Sequence, residues 1–245
     1  MNKKTHAPSL IQLKLDLALA LRAAALHDLV EGVCNHFSVA VDEDKFLINP
    51  RGLHWSEVGH DDVLLVDTNG NVLDGKHQVE PSAMFIHAAV HRIAGHRVVL
   101  HTHMPYASAF TLTEAGAIDP LLSQNALRFH DRIAVDRTFN GLALDFGEGE
   151  RIARAMGSND VAFLGNHGVI VAGESLAYAY DDLYFLERAS QQEALARASA
   201  LPLRPIQDID LARRTAMQIR GEREQSHLFF ESLRRMLPER QHVCS

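Results

Sequence analysis

At 245 residues, with 47% hydrophobic and 22% charged residues, the chain has the composition of a folded globular protein, and its length suits one large domain with or without an arm. The formal net charge of -7 is not offset by any concentrated basic stretch, which removes the usual footprint of a nucleic-acid or anionic-membrane partner. No run of about 18 apolar residues is available to span a bilayer, and Cys34 and Cys244, without a CxxC, offer no disulfide framework, so a cytoplasmic protein is expected.

In chain order, Lys3-Lys4 precede a leucine run that Lys14, Asp16 and Arg22 interrupt, so an amphipathic helix is expected there rather than an uncharged signal-peptide core. Leu10, Leu13, Leu17, Leu21 and Leu26 place that helix over 9–30, ended by Gly32. Two short strands, Phe37 to Val41 and Phe46 to Ile48, flank the polar turn Asp42-Glu43-Asp44. After the Asn49-Pro50-Arg51-Gly52 loop, Val63 to Val66 and Val72-Leu73 form a second hairpin around Asn69-Gly70. A helix from Ser82 to Ala94, with Pro81 at its start, leads through Gly95 to the buried strand Val98-Val99-Leu100. A helix near Glu148 to Met156 precedes a second buried strand, Val161 to Leu164, then Gly165-Asn166-His167-Gly168 and Val169 to Val171. A long helix from Leu176 to Ala200 is broken by Pro202 and Pro205, and Asp208 to Leu237 reads as a charged helical tail. The domain boundary falls between 1–204 and a helical tail at 205–245.

The chemistry gathers at His101-Thr102-His103. Side chains on a strand alternate faces, so both imidazoles point one way and Thr102 the other, which is the arrangement two metal ligands need. An open catalytic site takes about three protein ligands. His167, flanked by glycines where the backbone can turn sharply, is the candidate for the third. A lone His-x-His among 15 histidines carries little; its order with the second buried strand and Asn-His-Gly carries more.

The segments Phe46-Leu47-Ile48-Asn49-Pro50-Arg51-Gly52, Val98-Val99-Leu100-His101-Thr102-His103 and Gly165-Asn166-His167-Gly168, in that order, resemble the class II aldolase/adducin family over roughly 10–200. The resemblance implies an α/β fold of three α/β/α layers with a mainly antiparallel central sheet, and a homotetramer with sites near subunit interfaces. It implies that His101, His103 and His167 bind a divalent metal, zinc or else manganese or iron, which polarises a substrate carbonyl. The sugar-phosphate aldolases of the family carry Pro-Ser-Ser-Glu before the His-x-His strand, its glutamate acting as acid/base. Here Glu80-Pro81-Ser82-Ala83-Met84 puts Ala83 or Met84 at that place, leaving Glu80 as the nearest carboxylate and Ser82 as a substrate-binding candidate. The family's Gly-Asn-x-Ser phosphate turn becomes Cys34-Asn35-His36-Phe37-Ser38, with Asn35 and Ser38 remaining as anion ligands. The Asn-His pair is closer to the adducin-like members.

His130 and His87 are further proton-transfer candidates, since imidazole titrates near neutral pH. The loop of His130, or Arg220, His227 and Arg234 of the tail, could serve a neighbouring subunit. Together these readings predict a metal-dependent carbon–carbon lyase, decarboxylase or aldolase, acting on a small oxo- or hydroxy-acid. The alternatives are a non-haem iron oxygenase on the same three histidines and a non-catalytic adducin-like binding module.

Overall fold

The computed structural model describes residues 8–240, so Lys3, Lys4 and Cys244 lie outside the described residues. The fold is an α/β sandwich whose central eight-stranded sheet is ordered β4-β3-β2-β1-β5-β8-β7-β6. Its strands are β1 (His36–Ala40), β2 (Lys45–Ile48), β3 (Leu64–Asp67), β4 (Val72–Asp74), β5 (Val98–Thr102), β6 (Ile133–Asp136), β7 (Val161–Leu164) and β8 (Gly168–Gly173). Every neighbouring pair is antiparallel except β6 with β7. The first two hairpins form as their turn residues predict; Asp67 Oδ1 accepts from the backbone N–H of Asn69 and Asn71 at 2.9 and 2.8 Å, closing the turn in which Gly70 has φ 91.

The helices are α1 (Leu10–Leu26), α2 (Pro81–Ala89, continued by a wide π turn to Ala94), α3 (Pro105–Thr111), α4 (Gln124–Leu127), α5 (Phe146–Met156), α6 (Leu176–Ala198), α7 (Ile209–Gly221) and α8 (Arg223–Met236). They cover both sheet faces. One core joins Leu17 and Leu21 of α1, Tyr180 and Leu183 of α6 and Phe230 and Leu233 of α8 to Phe37, Leu100, Phe163 and Val171 of the sheet. The opposite face buries α2 and α5 against Val99, Ala162, Leu164 and Ile170 and against Phe46, Ile48, Leu64 and Val66. Each fully buried leucine contributes about 1.5–3 kcal/mol. All five residues of β5 are buried, because it lies at the middle of the sheet with helices on both sides.

Some element bounds differ from those expected. Helix α1 stops at Leu26, and its terminal leucines, Leu10 and Leu26, are exposed; Asp28 turns the chain with φ 57 before Gly32 is reached. Strand β1 begins one residue earlier than predicted, which brings His36 into the ladder opposite His101. Between His103 and Asp145 the chain forms α3, α4 and the edge strand β6, none of which stood out in the sequence. The tail is two helices parted at Glu222, and α8 shares the main core. Arg220, His227 and Arg234 all bond within the chain, to the His130 carbonyl, the Tyr178 hydroxyl and Asp16 at 3.0, 3.1 and 3.0 Å.

Candidate metal centre

Strand β5 carries His101 and releases His103 just beyond its last residue, while the β7–β8 hairpin brings in His167. That hairpin has a three-residue loop, because Leu164 pairs with Gly168, and its middle residue, Asn166, takes the left-handed conformation with φ 56. The His167 amide closes the loop onto the Leu164 carbonyl at 3.0 Å, and Gly165 donates to Asp136 at 2.7 Å. Gly168 permits the close approach: a Cβ there would stand 2.6 Å from His103 Cδ2 and 2.6 Å from the Thr102 carbonyl oxygen.

The three rings form a near-equilateral triangle, with centroids 5.1, 4.8 and 5.0 Å apart, and their ligand atoms lie within 4.8 Å of one another. His101 Nδ1 donates to the Val169 carbonyl at 3.0 Å, and His103 Nδ1 donates to Glu31 at 2.8 Å. Both Nε2 atoms are therefore lone-pair donors, and both are buried without a partner among the described residues. Burial, reinforced by the neighbouring His167 and His103, holds His101 far below the usual imidazole range. Burial and then His103 lower His167 to about 4, against an opposing pull from Glu148. Bare, converging imidazole nitrogens, with His101 and His167 held below the usual range, are the donor set that binds a divalent metal, so these residues fit such an ion.

Of the other predicted site residues, Asn35 lies next to the triad, its Oδ1 accepting from the Glu31 amide at 2.8 Å and the His103 amide at 3.4 Å. Ser38 is fully buried, with its hydroxyl between His87 Nδ1 and His91 Nε2 at 2.5 and 2.7 Å. Glu80 occupies the N-cap position of α2 without a side-chain cap bond and pairs instead with Arg51 at 2.9 Å, and Ser82 lies half-buried in the first turn; neither hydrogen-bonds to the three histidines. His130 pairs with Asp131 at 3.0 Å. It precedes β6, whereas His167 follows β7, and these strands run parallel with Ile133 opposite Val161. The two histidines thus lie at opposite ends of the sheet, which removes His130 from this chain's own centre.

Sequence reasoning missed Glu31, whose partner is 72 residues away, and Glu148, held by Arg151 and Asn140 at 2.8 and 2.9 Å beside His167. It also missed the burial of His36 against His101, with ring centroids 5.7 Å apart. A cleft of about 320 Å³ adjoins the hairpin loop, lined in part by Thr113, Arg137 and Asn166. One of about 340 Å³, with Arg97 and Gly173, lies at the opposite end of β5, since Val98 pairs with Gly173 there.

The family model for the Class II Aldolase and Adducin N-terminal domain matches residues 15–194. The chain belongs to the class II aldolase/adducin family. Among relatives, it is 30% identical over 203 residues to the decarboxylase NovR of Streptomyces niveus, covering 81% of this chain and 74% of that one. It is 30% identical over 220 residues to the 4-hydroxy-3-prenylphenylpyruvate oxygenase/4-hydroxy-3-prenylbenzoate synthase of Streptomyces roseochromogenus, covering 88% and 78%. Among solved structures, an aldolase II superfamily protein from Pseudomonas syringae superimposes with a TM-score of 0.82 at 27% identity, covering 95% of this chain and 96% of that one. The family fold is thus the layered α/β architecture described above.

Proposed function

We propose that this chain is a divalent-metal-dependent carbon–carbon lyase, of decarboxylase or aldolase type, acting on a small oxo- or hydroxy-acid. The observation that carries the reading is the convergence of three imidazole ligand atoms within 4.8 Å. A bound divalent ion, zinc by preference with manganese or iron as alternatives, would supply Lewis acidity to a substrate carbonyl. His101, His103 and His167 would hold it. Ala83 and Met84, 1% and 6% exposed, pack in the core under α2, so the helix offers no carboxylate where sugar-phosphate aldolases carry theirs. Glu80, bound to Arg51, and His130, at the far end of the sheet, are given no role. Decarboxylation suits such a site because CO2 departs before any proton is removed. The electron pair it leaves is drawn onto the neighbouring carbonyl oxygen, and a proton from solvent then completes the product. The resemblance to NovR, named a decarboxylase, supports the same choice.

The test is metal analysis of the full chain beside its His101→Ala/His103→Ala variant, followed by a panel of oxo- and hydroxy-acids assayed for CO2 and aldehyde. About one ion per chain, lost in the variant, with product formed from a panel member, is expected. Metal-loaded protein that cleaves nothing in the panel refutes the lyase. The second reading, an iron oxygenase, is favoured by the oxygenase-named relative; substrate-coupled oxygen consumption after iron loading would select it.

The subunits are proposed to form a homotetramer. Phe139, Leu142, Leu144 and Phe146 are 57%, 77%, 58% and 50% exposed along the segment that leads to Glu148, and a second copy would cover them. Light scattering on Leu142→Asp tests this, dissociation being the expected result. A cytoplasmic location is proposed from the free, exposed thiol of Cys34; among the described residues no helix is long and apolar enough to cross a membrane.

A further inference from the structure

We propose that Glu31 is a positioning residue of the metal centre, its carboxylate fixing His103 through Nδ1 so that Nε2 is presented to the other two ligands. The proposal rests on the three-histidine reading above and adds a residue that no motif marks. Glu31 Oε2 lies 2.8 Å from His103 Nδ1. A carboxylate oxygen accepts, so Nδ1 carries the ring proton and Nε2 is left as a lone pair, buried and without a partner among the described residues.

The Glu31 side chain is 66% exposed, and a free surface glutamate would not hold one geometry. Its main chain is held instead. The Glu31 amide donates to Asn35 Oδ1 at 2.8 Å, and that same oxygen accepts from the His103 amide at 3.4 Å. Asn35 is fully buried, so one rigid amide fixes the main chain at both partners. Gly32, with φ 55, supplies the left-handed step that turns the chain back, and the Cys34 amide closes onto the Glu31 carbonyl at 3.2 Å. Asn35 therefore acts here as a clamp.

The ligands are held unequally. His101 is oriented by the neutral Val169 carbonyl, whereas among the described residues Glu31 provides the carboxylate hydrogen bond to a histidine of the triad. An anionic acceptor on Nδ1 raises the donor strength of Nε2, and loss of such a partner typically weakens metal binding about 10–100-fold. With the carboxylate largely in solvent, the lower end applies, about tenfold. A side-chain hydrogen bond whose acceptor lies largely in solvent adds at most about 1 kcal/mol to folding, so the effect should appear in metal affinity and leave the metal-free stability almost unchanged.

The experiment is chelator-competition titration of zinc on the full chain, comparing wild type, Glu31→Ala, Glu31→Gln and His101→Ala/His103→Ala, with thermal midpoints of the metal-free forms. Nitrogen-15 spectra of metal-free protein report the His103 tautomer. Expected are an about tenfold weaker zinc affinity in Glu31→Ala, substantial recovery in Glu31→Gln, which retains an acceptor oxygen, and loss of the single Nδ1–H tautomer in Glu31→Ala alone. Wild-type zinc affinity in Glu31→Ala overturns the proposal. A parallel fall in metal-free stability also overturns it, by making the role structural. Failure of wild type itself to bind zinc, manganese or iron overturns the metal reading and this proposal together, whereas an ion bound equally by wild type and Glu31→Ala but not by the double histidine variant overturns this proposal only.

Discussion

Replacing Gly168 by alanine tests whether the centre depends on the close packing of β8 against the end of β5. The new Cβ would lie 2.6 Å from His103 Cδ2 and 2.6 Å from the Thr102 carbonyl oxygen, about 0.8 Å inside ordinary contact. The Thr102 carbonyl belongs to a buried central strand and cannot retreat far, so the His103 ring gives way. A ring displaced by close to 1 Å leaves the geometry that metal ligands tolerate, about 0.2 Å in bond length, and misplacement on that scale can reduce activity by about 10²-fold. Overpacking at this contact adds about 1–3 kcal/mol of destabilisation. The assays are zinc competition against a chelator and urea unfolding of the metal-free protein. The expected result is a zinc affinity lower by about 10–100-fold with a stability loss within that range. Wild-type zinc affinity in Gly168→Ala would refute the argument, because the ring would then be free to move without consequence.

Acidification should destabilise the metal-free protein. Burial, reinforced by His103 and His167, lowers His36 to about 3, and burial lowers His91 to about 4. The folded-state values lie below the unfolded value of about 6.5, so full stability is present above it. Below pH 6.5 the unfolded chain takes up protons that the folded chain cannot, and stability falls by up to about 1.4 kcal/mol per pH unit for each histidine. A urea midpoint that stays constant from pH 7 to about 4.5 in metal-free protein contradicts this. Glu187→Ala should cost about 2–3 kcal/mol in urea unfolding, since both carboxylate oxygens accept from the α3 amides of Tyr106 and Ala107 at 2.8 Å; a loss below about 0.5 kcal/mol counts against the capping role. Arg132→Met should cost about 3–5 kcal/mol by leaving Asp182, 3% exposed and 2.6 Å from the guanidinium, buried without that partner; calorimetry of the variant checks it.

The parts of this fold that could be read in the sequence are those whose cause is local. Asn69-Gly70 makes its turn because Gly70 must take φ 91, and Val98 to Leu100 announces a buried strand through an unbroken apolar run. The two histidines that follow share a direction because strand geometry requires it. Strand β6, with only Ile133-Ala134-Val135-Asp136 on the sheet edge, lacks a pattern strong enough to separate it from loop. Strand β1 starts at His36 and not at the expected Phe37, because His36 is polar and its burial depends on the ring of His101 stacked against it. Glu31 and Glu187 were not legible for the same reason, as their partners lie 72 and about 80 residues away and no periodicity encodes a contact at that separation.

The buried hydrogen bonds behind the centre bear on the substrate. The His96 carbonyl can only accept, so His91 Nδ1, 2.7 Å away, carries the proton and His91 Nε2 is a lone pair. Ser38 must then donate its single hydroxyl proton to His91 Nε2 at 2.7 Å, and His87 Nδ1 donates to the Ser38 oxygen. Burial, then the neighbouring His36, keeps His87 well below the ordinary imidazole range, and burial does the same for His91, so neither ring reverses that order by charging at neutral pH. The Ser38 hydroxyl thus has no proton to offer an anion, and the neighbouring Asn35 oxygen is occupied by two backbone amides. A phosphate, with acceptor oxygens to satisfy, finds no donor in the Ser38 hydroxyl, and among these groups the donor left free is Asn35 Nδ2, buried without a partner among the described residues, so an anion here would be met by the Asn35 amide and not by Ser38. Replacing Ser38 by alanine should therefore leave any inhibition by inorganic phosphate unchanged; inhibition weakened in Ser38→Ala would mean that the Ser38 hydroxyl turns away from His91 when an anion arrives.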